Sequence, residues 1–218
     1  TDSRFLNVKS IDPTTSDLAF TVKDAKKHQS FSISPRLLPE ELFFDILTSN
    51  LLTPFALAPV QKALLPIRKN DTETWEMIPQ AEVNAKGAST RNTFQEICRE
   101  IDYSNGNIST LFGLIDVRGK LSQQIIANEG YIVMTGAGGG KVCSAFIALD
   151  DYRSERLIMD QTVYWAQVET EDEAIYLSGL LNSTAINLII EDFQPRGAFG
   201  KRHVHKLPVS YTHLTLPT

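Results

Sequence analysis

The longest uninterrupted apolar run in this chain of 218 residues is five, residues 145–149, whereas a membrane-spanning helix needs ~18 or more. The fold must therefore be assembled from short elements, separated by Pro, Gly and polar residues. Residues 18–22 and 30–33 are short and β-prone, and the basic, polar stretch 24–28 reads as the turn between them. Pro39-Glu40-Glu41 puts proline and acids where a helix starts, which predicts a short amphipathic helix through Leu47. From Leu51 to Ile67 the chain is apolar but interrupted by Pro54, Pro59 and Pro66. Proline lacks a ladder donor, so edge strand and buried loop are expected there rather than central strand. Residues 75–78 form another strand candidate.

A helix is predicted from Ser89 or Thr90 to Ile101, with Phe94, Ile97 and Ile101 on one stripe. Asn105-Gly106-Asn107 breaks it, and a second short helix follows over 108–115. Strands are expected at 131–135, 142–149 and 162–168. The clearest local signal is Thr170-Glu171-Asp172-Glu173, a capping box in which hydroxyl and carboxylate satisfy each other's exposed amides. Its helix carries Ala174, Leu177 and Leu181; Asn182-Ser183 interrupts, and Ser183 caps a second helix over 184–192. The expectation is an α+β fold, rich in strands, with a helix pair near 171–192.

The chain is 42% hydrophobic, enough to bury a real core, and its 21 Lys and Arg against 26 Asp and Glu give a net charge of −5. Wholesale basic attraction to nucleic acid or to a membrane is excluded, so any such binding must use a local patch. The two cysteines, Cys98 and Cys143, lie 45 residues apart without a CxxC, which excludes a disulfide framework or a Cys-rich zinc site and fits a reducing cytoplasm. The chain opens on Thr1 rather than Met and enters strand-like sequence almost at once, as a piece of a longer protein would. Residues 210–218 have no charge and no period, and they resemble a translated sequencing-adapter tail. On that reading His213 carries no functional weight.

The run from Thr135 to Val142 holds four glycines and Lys141 and invites a phosphate-loop reading. The Walker pattern does not fit, because Thr135 stands where its first glycine belongs and Val142 where a magnesium-binding hydroxyl belongs. The dinucleotide pattern fails too, since it requires glycine at Lys141. Two readings remain: a loop joining two strands where φ > 0 is needed, or successive free amides plus Lys141 holding one phosphate of a nucleic-acid backbone. His203 and His205 would share one strand face, but the cations Lys201, Arg202 and Lys206 around them repel a divalent ion. No serine has an elbow context, Cys98 sits mid-helix, and Asp150 and Asp151 would diverge on a strand. No catalytic centre is recognisable.

The strongest electrostatic feature is the segment 196–206, with four Lys or Arg, two His and no acid. Gly197 and Gly200 let backbone approach a ligand, and Phe199 offers a stacking face, a combination that suits a polyanion; a solvated basic loop is the other reading. A second cluster, Arg118-Gly119-Lys120, lies beside Gln123 and Gln124, whose amides can read base edges as well as cap helices.

Three blocks, 160–165 (Asp-Gln-Thr-Val-Tyr-Trp), 173–183 and Phe193-Gln194-Pro195-Arg196-Gly197 through Pro208, resemble the carboxy-terminal part of adenine-specific DNA N6-methyltransferases of restriction-modification and phage-defence systems, including large type IIG-like enzymes. Upstream, Leu51-Leu52-Thr53-Pro54-Phe55, Ala63-Leu64-Leu65-Pro66, Gly119-Lys120-Leu121 with Gln124, and the glycine loop fit the same region, so the resemblance spans most of residues 35–208. Such enzymes use S-adenosylmethionine and flip the target adenine into a pocket bearing an Asn/Asp-Pro-Pro-Tyr/Phe motif. Neither that motif nor the glycine-containing S-adenosylmethionine motif occurs here, so no catalytic residue is carried over.

The resemblance therefore implies a DNA target-recognition domain at 35–208, preceded by an incomplete strand segment at 1–34 and followed by an artefactual tail at 209–218. The methyltransferase domain would be an N-terminal partner that these residues do not include, and double-stranded DNA would be the ligand. Arg118, Lys120, Lys141, Arg196, Lys201, Arg202 and Lys206 are expected on phosphates, with Gly197 and His205 in the same surface. Gln123, Gln124, Gln194 and His203 are the candidate base readers. The rivals are a structural or protein-interaction domain and a small-molecule enzyme using the glycine loop.

Overall fold

The structure, a computed structural model, describes residues 7–11, 17–21, 32–100, 111, 115–116, 119–136, 141–152 and 154–192. It is an α+β fold. The strands β1 (Asn7–Ile11), β2 (Asp17–Thr21), β3 (Ser32–Leu37), β4 (Phe43–Leu47), β7 (Gln61–Leu64) and β12 (Leu157–Met159) form one sheet in the order β12-β4-β7-β1-β2-β3. Within it only β12 and β4 run parallel. A smaller antiparallel sheet has the order β11-β10-β13, from β10 (Tyr131–Gly136), β11 (Ser144–Ala148) and β13 (Val163–Val168). Two hairpins complete the strands: β5 (Leu52–Thr53) with β6 (Ala56–Leu57), and β8 (Ile67–Lys69) with β9 (Trp75–Met77).

Two hydrophobic cores lie on either side of β4 and β12. The first takes Phe44 and Ile46 of β4 and Ile158 of β12, and packs them with Leu64, Trp75, Phe94 and Ile97. The second takes the alternate residues Leu47, Leu157 and Met159, and packs them with Ile132, Met134, Ile147 and Val163. Strands buried on both faces read as continuous apolar runs rather than as alternation. That is why the helix expected over 39–47 is not found. Glu40–Leu42 makes one 3₁₀ turn after Pro39, and the apolar run beyond it is β4.

The stretch between Pro59 and Pro66 also departs from expectation. β7 is a central strand, paired to β4 on one side and to β1 on the other, and Ala63 and Leu64 are fully buried. Both prolines fall outside the ladder, so they mark its ends without costing it a donor.

Among the described residues the helices with full bounds are α1 (Gln80–Ala85), α2 (Ala88–Glu100), α3 (Glu171–Asn182) and α4 (Thr184–Asp192). In α2, Phe94 and Ile97 are buried in the first core, as their spacing predicts. Of the helix expected over 108–115, the two described residues, Leu111 and Ile115, are helical and buried; Ile101 and the break at 105–107 lie outside the described residues. Thr170 caps α3 by accepting the Glu173 N–H at 3.3 Å, and Ser183 caps α4 by accepting from Ile186 at 3.2 Å. Gly130 joins this second sheet to the chain before it at φ +96°, where a Cβ would stand 2.7 Å from the Val168 carbonyl oxygen. Glycine is required there. The turn at 24–28 and the tail at 209–218 lie outside the described residues.

Candidate nucleic-acid interface

The glycine run leaves β10 at Gly136, opposite Val163 of β13, and the described chain resumes at Lys141. A strand beginning at Val142 would need a neighbouring strand for its first amides. Two asparagines of the helix pair supply partners instead, and β11 starts at Ser144. Asn187 of α4 accepts the Val142 N–H at 2.7 Å. Asn182, the last residue of α3, accepts the Ser144 N–H at 2.9 Å and donates to the Ser144 carbonyl at 2.8 Å. The Ser144 hydroxyl donates to Met134 across the sheet at 3.0 Å. Every polar group of Ser144 is thus engaged, and the returning limb of the glycine loop is fixed to α3 and α4.

Lys141 projects from this limb, exposed and, among the described residues, without a carboxylate partner. Several other described cations are paired. Arg68 bridges Glu76 and Glu82, each at 2.6 Å, and these carboxylates hold its guanidinium further up than usual. Lys62 pairs with Asp45, Lys69 with Glu73 and Lys86 with Glu41. Next to Ser144, the Cys143 thiol is half-buried, and that burial pushes its pKa up.

The β5–β6 hairpin meets the same limb. Its two-residue loop is Pro54-Phe55, closed by Thr53, whose hydroxyl donates to the Ala56 carbonyl at 3.0 Å. Phe55 has φ +65° and is 62% exposed, and its N–H donates to the Ser144 carbonyl at 2.9 Å. Proline followed by a left-handed residue is the pattern of a type II turn, where glycine or asparagine ordinarily fills the second place. A phenylalanine there stores ~1–2 kcal/mol of backbone strain. Nothing in the residue pattern singled out Phe55, because its conformation is decided by the register of the hairpin.

The second basic cluster is organised differently. Asp116 accepts the N–H groups of Leu121 and Ser122 at 2.8 and 3.1 Å, and Gly119 turns the chain at φ +67°. Lys120 and Gln123 are exposed on this turn. Gln124 is buried, 8% exposed, and its amide serves the sheet: Nε2 donates to the Met159 and Lys120 carbonyls at 2.7 and 3.1 Å, and Oε1 accepts the Met159 N–H at 3.0 Å. Both donors are used. Gln124 therefore pairs with the backbone of β12 as another strand's peptide would, and the base-reading role expected of it does not fit its position. Gln167 does the same for the following segment, accepting from Ala127 at 2.6 Å and donating to Ile125 at 3.0 Å.

Of the sequence candidates, Lys120, Gln123, Gln124 and Lys141 are described; Arg118, Gln194, Arg196, Gly197, Lys201, Arg202, His203, His205 and Lys206 lie outside the described residues. Asp150 and Asp151 occupy a 3₁₀ turn. Among the described residues no group of three or more His, Cys, Asp or Glu is arranged to hold a metal ion, and no helix is long and apolar enough to cross a membrane. No known protein-family model matches the chain, and no curated relative matches it.

Proposed function

We propose that this chain is the DNA-binding, target-recognition part of an S-adenosylmethionine-dependent DNA adenine N6-methyltransferase, working in the cytoplasm. One observation carries the reading. The limb that presents the unneutralised Lys141 is hydrogen-bonded to α4, and α4 leads directly into the acid-free segment 196–206. From Asn187 to the end of α4 is five residues, ~7.5 Å of helix rise. The four further residues to Arg196 span at most ~14 Å. The basic segment therefore follows, within ~22 Å of chain, from the helix that holds the Lys141 limb, and this supports a shared phosphate-tracking surface.

On this reading Lys141, Arg196, Lys201, Arg202 and Lys206 contact phosphates, with Arg118 and Lys120 as a second group. Gln123, Gln194 and His203 read base edges. Neither methyltransferase motif occurs in these residues, so S-adenosylmethionine and the methyl transfer belong to another part of the parent protein, and no residue here is assigned to the cofactor.

The test is duplex binding by fluorescence anisotropy across a salt series. Replacing both Arg196 and Arg202 with Ala should lower the slope of log K against log salt by about two, close to one per phosphate contact. A double variant that binds like the parent at every salt concentration removes the assignment. The exposed Ile175 and Tyr176 of α3 and Leu188 and Ile189 of α4 favour a second reading, a protein-interaction domain. A pull-down that succeeds where duplex binding fails would select it.

A further inference from the structure

We infer that Phe55 is a base-stacking residue, presenting its ring to a nucleobase of the bound nucleic acid; this rests on the DNA-binding reading above. Two properties of Phe55 run against stability at once. Its backbone sits at φ +65°, which disfavours any residue with a Cβ, and the residue is 62% exposed, so burial returns little to the fold. Glycine would fill the same turn without strain.

The strained residue is also held rigidly. Its N–H is tied to the Ser144 carbonyl, the Thr53 hydroxyl closes the turn behind it, and Asn182 holds the same carbonyl from the other side. With the backbone fixed in this way, only the two side-chain torsions of Phe55 remain to be ordered when a flat ligand lies on its ring. Among the described residues it has no aromatic partner. Its hydrogen-bond partner Ser144 is only three positions from Lys141, so the limb that anchors Phe55 also carries a cation without a carboxylate partner among the described residues. An aromatic platform beside a phosphate-seeking cation is the pairing that proteins use on nucleic-acid strands, where each base offers a π-face whatever its identity. The other large exposed apolar residues among the described ones, Leu37, Ile125, Ile175, Tyr176, Leu188 and Ile189, have no left-handed backbone conformation.

The experiment uses the full chain with a fluorescent duplex and a single strand of the same sequence, each over a salt series, alongside thermal unfolding. Phe55→Gly should weaken binding about tenfold, in the range of alanine substitutions at stacking platforms, and leave the salt slope unchanged because no charge is lost. It should also raise Tm, since the strain is relieved. Phe55→Trp should keep the affinity, and its added emission should be quenched when DNA is added. Phe55→Gly binding as tightly as the parent, while Lys141→Ala lowers the slope, would overturn the stacking role and leave the DNA reading standing. A Phe55→Gly variant that loses affinity together with Tm would overturn it too, by showing a structural role. Absence of salt-dependent binding by the parent chain would remove both proposals.

Discussion

The two cores of this molecule are secured by different means. Around the first, large apolar side chains such as Phe44, Leu64, Trp75 and Phe94 fill the space between the six-stranded sheet and α2, and Phe44 and Trp75 meet edge to face with centroids 5.5 Å apart. Its surface is laced with ion pairs, among them Arg68 to Glu76 and Glu82. Around the second, side-chain amides hold backbone: Gln124 on Met159, Gln167 on Ile125 and Ala127, Asn182 and Asn187 on Ser144 and Val142. Apolar packing tolerates exchange of similar volumes. An amide clamp does not, because it must donate and accept in one plane, and losing it strands two backbone groups. The second region is therefore the more exactingly built, and it is there that an unneutralised lysine and a strained, exposed phenylalanine occur together.

The sharpest contrast would come from the packing of the first core. Phe94→Ala removes a fully buried ring and should cost ~3–5 kcal/mol of unfolding free energy, read from urea denaturation. A loss below ~1 kcal/mol would mean that this core is not the main source of stability.

Gln124→Met probes the other side of the comparison. It keeps the length and approximate volume of the side chain but leaves the Met159 N–H and C=O without partners. The expected loss is about 2–4 kcal/mol, from two stranded groups at roughly 1–2 kcal/mol each, the lower part of the usual range. A neutral result would show that packing rather than hydrogen bonding holds β12.

The smallest effect concerns pH. Burial raises the Cys143 thiol pKa, and burial with Asp151 and Asp45 nearby raises that of Tyr152. A group whose folded pKa is raised contributes stability fully below its unfolded value, because both states are then protonated alike in their neutral form. As pH climbs past that value the unfolded chain ionises first, so stability falls until the folded pKa is passed. The urea midpoint should thus decline above the ordinary thiol range, and Cys143→Ala should remove the thiol's part of the decline while leaving that of Tyr152. Iodoacetamide should modify Cys143 more slowly in the folded chain than in urea; equal rates would contradict its burial.

Signals that act over a few residues carried through from sequence to structure. Thr170 and Ser183 cap helices where their spacing places them, α2 spans Ala88–Glu100, and β10 begins at Tyr131 as its apolar cluster indicates. What could not be read depends on residues far apart in the chain. β4 is a strand because β12, more than a hundred residues later, covers its outer edge in parallel register, Asp45 against Leu157. β7 is central because β1 and β4 flank it, which no property of its own proline-bounded sequence reveals. Gln124 illustrates the limit most plainly: the same amide pattern suits an adenine edge or a peptide edge, and a peptide edge of its own fold lies within reach. Asn182 and Asn187 show the converse, since residues that read as a helix interruption and an ordinary helix position turn out to fix the glycine loop's returning limb.

If this limb belongs to a DNA-contacting surface, the salt dependence of duplex binding must reflect it. The parent chain should bind with a steep slope, Lys141→Ala should lower it by about one, and the Arg196 and Arg202 pair should lower it by about two more. Binding that ignores salt, or a slope unchanged in these variants, would contradict it.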